Sequence, residues 1–304
     1  MLVKVYTFYQ TSSNAVLSDA LESLVNIASG TFALISLKIA SRPSDKNHPY
    51  GHGKVEFISG FVEGTLIIIA GLMMIGKAGY NMIVPNEVKE LLLGIVLTSF
   101  TGLVNFIMGF KLKRQGQEKG SMIMISEGSH LMSDGYTSLA LIVGIGVVWL
   151  SGFVILDNII SILFGVYVLF MGYKIFRKSI AGIMDEMDMD LVDEFIDELN
   201  KERKPDWIDV HNLRIIKFGR DVHIDCHLTL PWYYNLEQTH NQVVLFEDVI
   251  KRKFEPQTEF FIHADPCIEN SCKLCLISDC AQRKHAFENK VVWDVNNVLE
   301  NAKH

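Results

Sequence analysis

The sequence predicts an α-helical membrane bundle followed by a soluble α+β domain, on three observations. The 304 residues are 49% hydrophobic with a mean hydropathy of +0.22, too apolar for an ordinary soluble protein; 21% are charged, too many for a chain wholly inside a bilayer. Nearly all the long apolar runs lie in residues 1–182, whereas residues 183–304 are rich in Asp, Glu, Lys and His. Within the apolar half, polar side chains recur at helical spacing. The expected division is a transmembrane domain over 1–182, a cytoplasmic domain over 183–266 and a Cys-rich tail over 267–304.

The membrane elements follow in order. The first ten residues read as the end of a span, too short to cross. A span over about 14–40 is interrupted by Asp19, Glu22 and Asn26 yet continues through "GTFALISLKIA". The stretches 57–84, 88–112, 121–150 and 153–176 each reach the roughly 20 residues that a bilayer core of about 30 Å requires. Basic residues mark one side: Lys38, Arg42, Lys46 and Lys54, then Lys111, Lys113, Arg114 and Lys119, then Lys174, Arg177 and Lys178. The opposite ends have only Lys89. Positive charge marks the cytoplasmic face, which places the polar half and the 41–54 loop in the cytoplasm. The N-terminus lacks the apolar segment of a cleavable signal peptide.

In the polar half, "MDLVDEFIDELNKE" has helical spacing, "WIDVHNLRIIKFG" and "DVHIDCHLTLPW" alternate as paired strands around Gly219, and "NLEQTHNQVVLFEDVIKRKF" is a helix capped by Asn235. "EFFIHAD" is a final strand. Helix, strand, strand, helix, strand suits a split ferredoxin-like sheet with its helices on one face. "HAFENKVVWDVNNVLEN" reads as an amphipathic helix packed on this domain. The net charge of −7 and pI near 5.8 offer no basic stripe for nucleic acid.

Four polar residues inside the spans carry the function. Glu22 and Asn26 share one helix face, as do His130 and Asp134, because residues four apart point the same way. Such groups are costly in hydrocarbon and mark ion paths when they face one another. Two carboxylates, an imidazole and an amide supply four metal ligands; the alternative is interhelical hydrogen bonding alone. An imidazole in the set suits Zn²⁺ and its first-row neighbours. A four-residue site leaves no open position for a catalytic water and no His-Glu-x-x-His motif is present, so the chain does not read as an enzyme.

"SDALESLVNIASG", "RPSDKNHPYGHGKVE" and "SEGSHLMSDGYTS", followed by "VHNLR" and "IHADP", resemble the cation diffusion facilitator family of metal/proton antiporters over about residues 5–266. The resemblance implies a homodimer of six-span subunits in a lipid bilayer, a prokaryotic inner or plasma membrane, with a cytoplasmic ferredoxin-like domain; the first span is largely absent from this sequence. It implies Zn²⁺ as cargo and as a structural or regulatory ion, with Fe²⁺, Co²⁺, Cd²⁺ and Mn²⁺ as alternatives, and protons as counter-substrate. The family's transport site maps to Glu22, Asn26, His130 and Asp134, where Asn26 departs from the commoner Asp. A membrane sensor or scaffold with an incomplete transport domain is the competing reading.

Asp45, His48 and His52 match a loop metal site between the second and third family helices. His211, His227, His240, His263 and Asp265 match cytoplasmic metal sites of some members, whereas His223 reads as a surface residue. Beyond the family core, Cys267, Cys272, Cys275 and Cys280, spaced by four, two and four residues, could form a closed zinc site, ligate an iron–sulfur cluster, whose standard spacings they do not match, or remain free thiols. With Cys226 the cysteine count is five; an odd, clustered count is a poor disulfide framework.

Overall fold

The computed structural model describes residues 1–84, 91–119, 122–153, 155–218, 221–253 and 258–303. Gly219, the expected centre of the strand hairpin, lies outside them. Six helices come first: α1 (Leu2–Thr11), α2 (Asn14–Ala40), α3 (Val55–Ile83), α4 (Leu91–Lys119), α5 (Met122–Ser151) and α6 (Ile155–Ile183). Then follow α7 (Met189–Glu202), β1 (Asp209–Phe218), β2 (Asp221–Leu230), α8 (Leu236–Lys251), β3 (Thr258–Pro266), a short 3-10 turn (Glu269–Lys273) and α9 (Val295–Val298). The chain separates into two units, residues 1–35 with 59–179 and residues 36–58 with 180–304. The loop joining α2 to α3 therefore groups with the C-terminal unit.

In the first unit, α2 to α6 each contain a stretch long and apolar enough to cross a membrane. Where helices cross closely they do so at glycine. A Cβ at Gly64 of α3 would lie 2.6 Å from the Phe176 backbone nitrogen of α6, and one at Gly128 of α5 would lie 2.4 Å from that of Lys113 of α4. In lipid, where no apolar driving force draws helices together, such close backbone approach supplies the packing. Val25 of α2 meets Ala70 and Met74 of α3 and Val168 of α6, while Val16 meets Leu141 and Ile145 of α5. The α1–α2 turn passes through Ser12 with φ 52°. Its buried polar groups are satisfied by the α6 terminus: Ser13 Oγ donates to Asp157 Oδ1 at 2.7 Å, the Asn14 amide to Asp157 Oδ2 at 2.8 Å, and Asn14 Nδ2 to Asn158 Oδ1 at 2.7 Å.

The C-terminal unit is built on a three-stranded sheet in the order β1-β2-β3, antiparallel then parallel. Because strand residues alternate in direction, Val210, Ile224, Cys226, Leu228 and Leu230 face one side, where Phe195 and Leu199 of α7 and Phe246 and Ile250 of α8 cover them. Burial pushes the Cys226 thiol up to about 12, as befits an apolar core residue. The expected Asn235 cap is formed: its side chain accepts from the Gln238 amide at 2.9 Å, and Gln238 Oε1 accepts from the Asn235 amide at 3.0 Å. Asn235→Ala should lower the stability of this unit by about 1 kcal/mol, read by urea unfolding followed by far-UV dichroism.

The tail differs from expectation. The amphipathic helix over 285–301 is not formed, and within it only Val295–Val298 is helical. The physical reason is Trp293, which is 1% exposed and drives its stretch into the sheet core beside Val298. Extended backbone lets Trp293 exchange hydrogen bonds with Asn200, accepting from Nδ2 at 2.7 Å and donating to Oδ1 at 3.2 Å. The Arg203 guanidinium lies 4.0 Å from the indole centroid and donates to the carbonyls of Val291, Trp207 and Ile208. Burial lowers the Arg203 pKa to about 10. The segment after Cys280 is thus part of the domain core, not an appendage.

Candidate metal centres

Within the bundle, α2 and α5 bring their polar faces together. Asn26 Nδ2 donates to Asp134 Oδ2 at 3.1 Å, a bond between residues 108 apart in sequence. Glu22 sits one turn before Asn26, half-buried, where the carboxylates of Asp134 and Asp19 and the ammonium of Lys4 all act on it electrostatically. His130 stands one turn before Asp134 on α5; its side chain lies outside the described residues. Asn26 directs its amide hydrogens at Asp134 and so keeps Oδ1 as the atom able to face a cation.

A neighbouring pair went unread in the sequence. Lys4 of α1 is buried and its Nζ lies 2.8 Å from Asp19 Oδ1, to which Ser138 Oγ of α5 also donates at 3.3 Å. Lys4 and Asp19 are thus each other's partners beside Glu22. The signal was available, since a lysine in an apolar run needs a carboxylate, but the ten-residue run gave no partner by itself.

The loop gathers its three residues as expected. Asp45 Oδ1 accepts from the backbone amides of Asn47 and His48, both at 2.8 Å, and lies 3.2 Å from His48 Nδ1. These bonds, led by the His48 amide, hold the Asp45 carboxyl below its ordinary value. The other carboxylate oxygen lies 3.4 Å from His52 Nε2, and the two imidazole rings are 4.4 Å apart. Gly51, at φ 81°, makes the left-handed turn that brings His52 back to Asp45.

On the sheet, strand register does the gathering. His211 pairs with His227 and His227 with His263, so three imidazoles stand in a row across the face opposite the helices. Two residues along, Asp209, Thr229 and Asp265 form the parallel row. Asp265 Oδ2 is 3.0 Å from His227 Nδ1 and 3.4 Å from His211 Nε2. The donor atoms of His211, His227 and Asp265 lie within 4.8 Å of one another, as do those of the loop triad. Burial pushes the Asp265 carboxyl up, but hydrogen bonds from Lys303 and His227 outweigh it and hold the carboxyl low. His263 stands at the exposed rim, its ring 4.7 Å from that of His227. His240 does not join: it is an exposed residue of α8, outside the sheet face.

Three further residues shape this face without having been expected there. Asp209 Oδ2 lies 3.3 Å from the buried His211 Nδ1. Asn212, at φ 52° where the β1 register shifts, places Nδ2 3.2 Å from His227 Nε2. Lys303 Nζ lies 3.1 Å from Asp265 Oδ1. His223, expected at the surface, is 8% exposed because Tyr50 and Phe218 pack on its ring while Glu259, its register partner, lies 3.0 Å from Nδ1.

Comparison with known proteins places both halves. Residues 1–184 match the family model of the cation efflux transmembrane domain, and residues 187–267 that of the cation efflux protein cytoplasmic domain. The chain is 28% identical over 253 residues to an uncharacterised transporter of Synechocystis, covering 83% of this chain and 82% of that one. It is 26% identical to the cation-efflux pump FieF of Citrobacter koseri and 25% identical to that of Escherichia coli, each over 270 residues and 88% of both chains. Residues beyond 267 lie outside both family models.

Proposed function

We propose that this chain, which belongs to the cation diffusion facilitator (cation efflux) family, exports Zn²⁺ across a bacterial inner membrane in exchange for protons, using Glu22, Asn26, His130 and Asp134 as its transport ligands. The observation that supports this reading is the Asn26–Asp134 hydrogen bond between two membrane-length helices, which joins one member of each candidate pair. Two carboxylates against one dication give a complex of no net charge, the least costly form to hold in hydrocarbon. Binding needs Glu22 and Asp134 ionised and His130 neutral, so protons compete with metal for each of them. On the side of lower pH the ligands take up protons and release the metal. Rocking of the helices about the fixed site then alternates access.

The loop triad and the sheet face are read as cytoplasmic Zn²⁺ sites, because each joins imidazoles to a carboxylate at a spacing that suits one ion. The C-terminal unit pairs two copies of the chain. Together these give a homodimer whose cytoplasmic part responds to the metal that its bundle removes.

Inverted membrane vesicles test the reading. Zn²⁺ uptake should follow an imposed pH gradient and collapse with a protonophore; uptake indifferent to the gradient would remove the antiport step. His130→Asp replaces the nitrogen ligand by oxygen and should shift preference from Zn²⁺ toward Mn²⁺ in a competition assay. An unchanged profile would place selectivity elsewhere.

A further inference from the structure

The four tail cysteines converge on one cavity that neither the transport site nor the family core uses. Cys267 is fixed by the sheet: its amide donates to the Leu230 carbonyl at 2.8 Å, extending the β2–β3 ladder past Pro266. Cys272 sits in the 3-10 turn, Cys275 is buried just beyond it, and Cys280 closes the loop. All four line a cavity of about 390 Å³ together with Trp232 and Tyr233. None is in a disulfide.

The surroundings are organised toward the sulfurs. The Trp232 amide donates to Cys267 Sγ at 3.4 Å, and the Lys284 amide donates to Cys272 Sγ at 3.4 Å. Backbone donors on cysteine sulfur are the outer contacts that stabilise metal-bound thiolates and tune their centre. Arg283 clamps the loop from behind, donating to the carbonyls of Cys272 at 2.6 Å, Cys275 at 2.9 Å and Ile277 at 2.7 Å. One guanidinium thus fixes the turn that presents two of the four thiols, Cys272 and Cys275. Arg283 and Lys284 also bring positive charge to the cavity wall, against the negative charge that four thiolates bring.

The spacing of the sulfurs selects the kind of centre. Sulfurs sharing one zinc at about 2.3 Å bonds lie ~3.8 Å apart. Among the described residues, the groups close enough to share one ion are the loop triad and the His211, His227, Asp265 set; the cysteines are not among them. They surround a cavity instead, as ligands on different metal atoms of one core do. Since no three of these sulfurs lie within 4.8 Å of one another while all four line one cavity, we propose that Cys267, Cys272, Cys275 and Cys280 ligate an iron–sulfur cluster, each thiolate bound to an iron of a core seated in this cavity. Four cysteines are the full complement for either a two-iron or a four-iron cluster.

The test uses the full chain in detergent, purified without oxygen and reconstituted with ferric iron, a thiol reductant and sulfide. Iron and acid-labile sulfide should be found in equal amounts, with broad visible absorption that bleaches on dithionite reduction. Cys267→Ser and Cys280→Ser should each lose most of the bound iron and sulfide, whereas Lys201→Ala, at an exposed position of α7, should retain both. The wild-type metal content decides the matter even if a serine variant fails to fold. Zinc bound without sulfide overturns the cluster, and so does metal-free protein with four titratable thiols in the tail. The readout does not depend on transport, so a failed transport reading would leave it standing.

Discussion

Asp134→Ala is expected to abolish Zn²⁺ uptake by inverted vesicles while the protein remains folded and inserted. Asp134 accepts the Asn26 bond that ties α5 to α2 and, in the proposed transport site, would supply one of the two charges facing the cation. Even outer-sphere partners of a metal are worth about 10–100-fold, so loss of a direct charged ligand should exceed that. The bundle should tolerate the change. The α4–α5 contact rests on the close approach at Gly128 and Lys113, and the α2 contacts of Val16 with Leu141 and Ile145 do not pass through Asp134. Asp134→Asn separates charge from hydrogen bonding: it keeps the size and an acceptor oxygen, yet uptake should still fall. Wild-type uptake in either variant would take the intramembrane carboxylate out of the mechanism.

Trp293→Ala should produce the largest loss of stability, about 3–5 kcal/mol in the C-terminal unit. The indole fills the core beside Val298, and the Arg203 guanidinium rests on its face at 4.0 Å. Truncation leaves both a cavity and a half-buried cation without its aromatic partner. Urea unfolding of residues 186–304 measures the effect, a segment with an apolar core of its own. A loss under about 1 kcal/mol would mean that residues after Cys280 only drape over the sheet.

Legibility in the sequence followed how local each signal was. The five long helices, α7 and the Asn235 cap were readable because periodicity and capping act within a few residues. The histidine row was readable for a similar reason: "DVHIDCHLTL" alternates with period two, which sends His223 and His227 to one face. What escaped was tertiary. Lys4 finds Asp19 only when α1 folds against α2, and His223 is covered by Tyr50, which is 173 residues away in sequence. The tail misled because Val292, Val295 and Leu299 recur at helical intervals, while Trp293, off that stripe, outweighs them by entering the core.

Lys303 gives the sheet face a resident placeholder. Its ammonium holds Asp265 Oδ1 at 3.1 Å, while the Glu300 carbonyl accepts from the Asn212 amide at 2.8 Å, so the last residues are seated against the ligand row. A cation bound at this face, as proposed, would have to evict this tethered charge before it gained the whole carboxylate. Its apparent affinity is then the intrinsic value scaled by the fraction of time that Lys303 is away; one part in ten weakens binding about tenfold. The threshold for filling the proposed site would then be set by a side chain that is not one of its ligands.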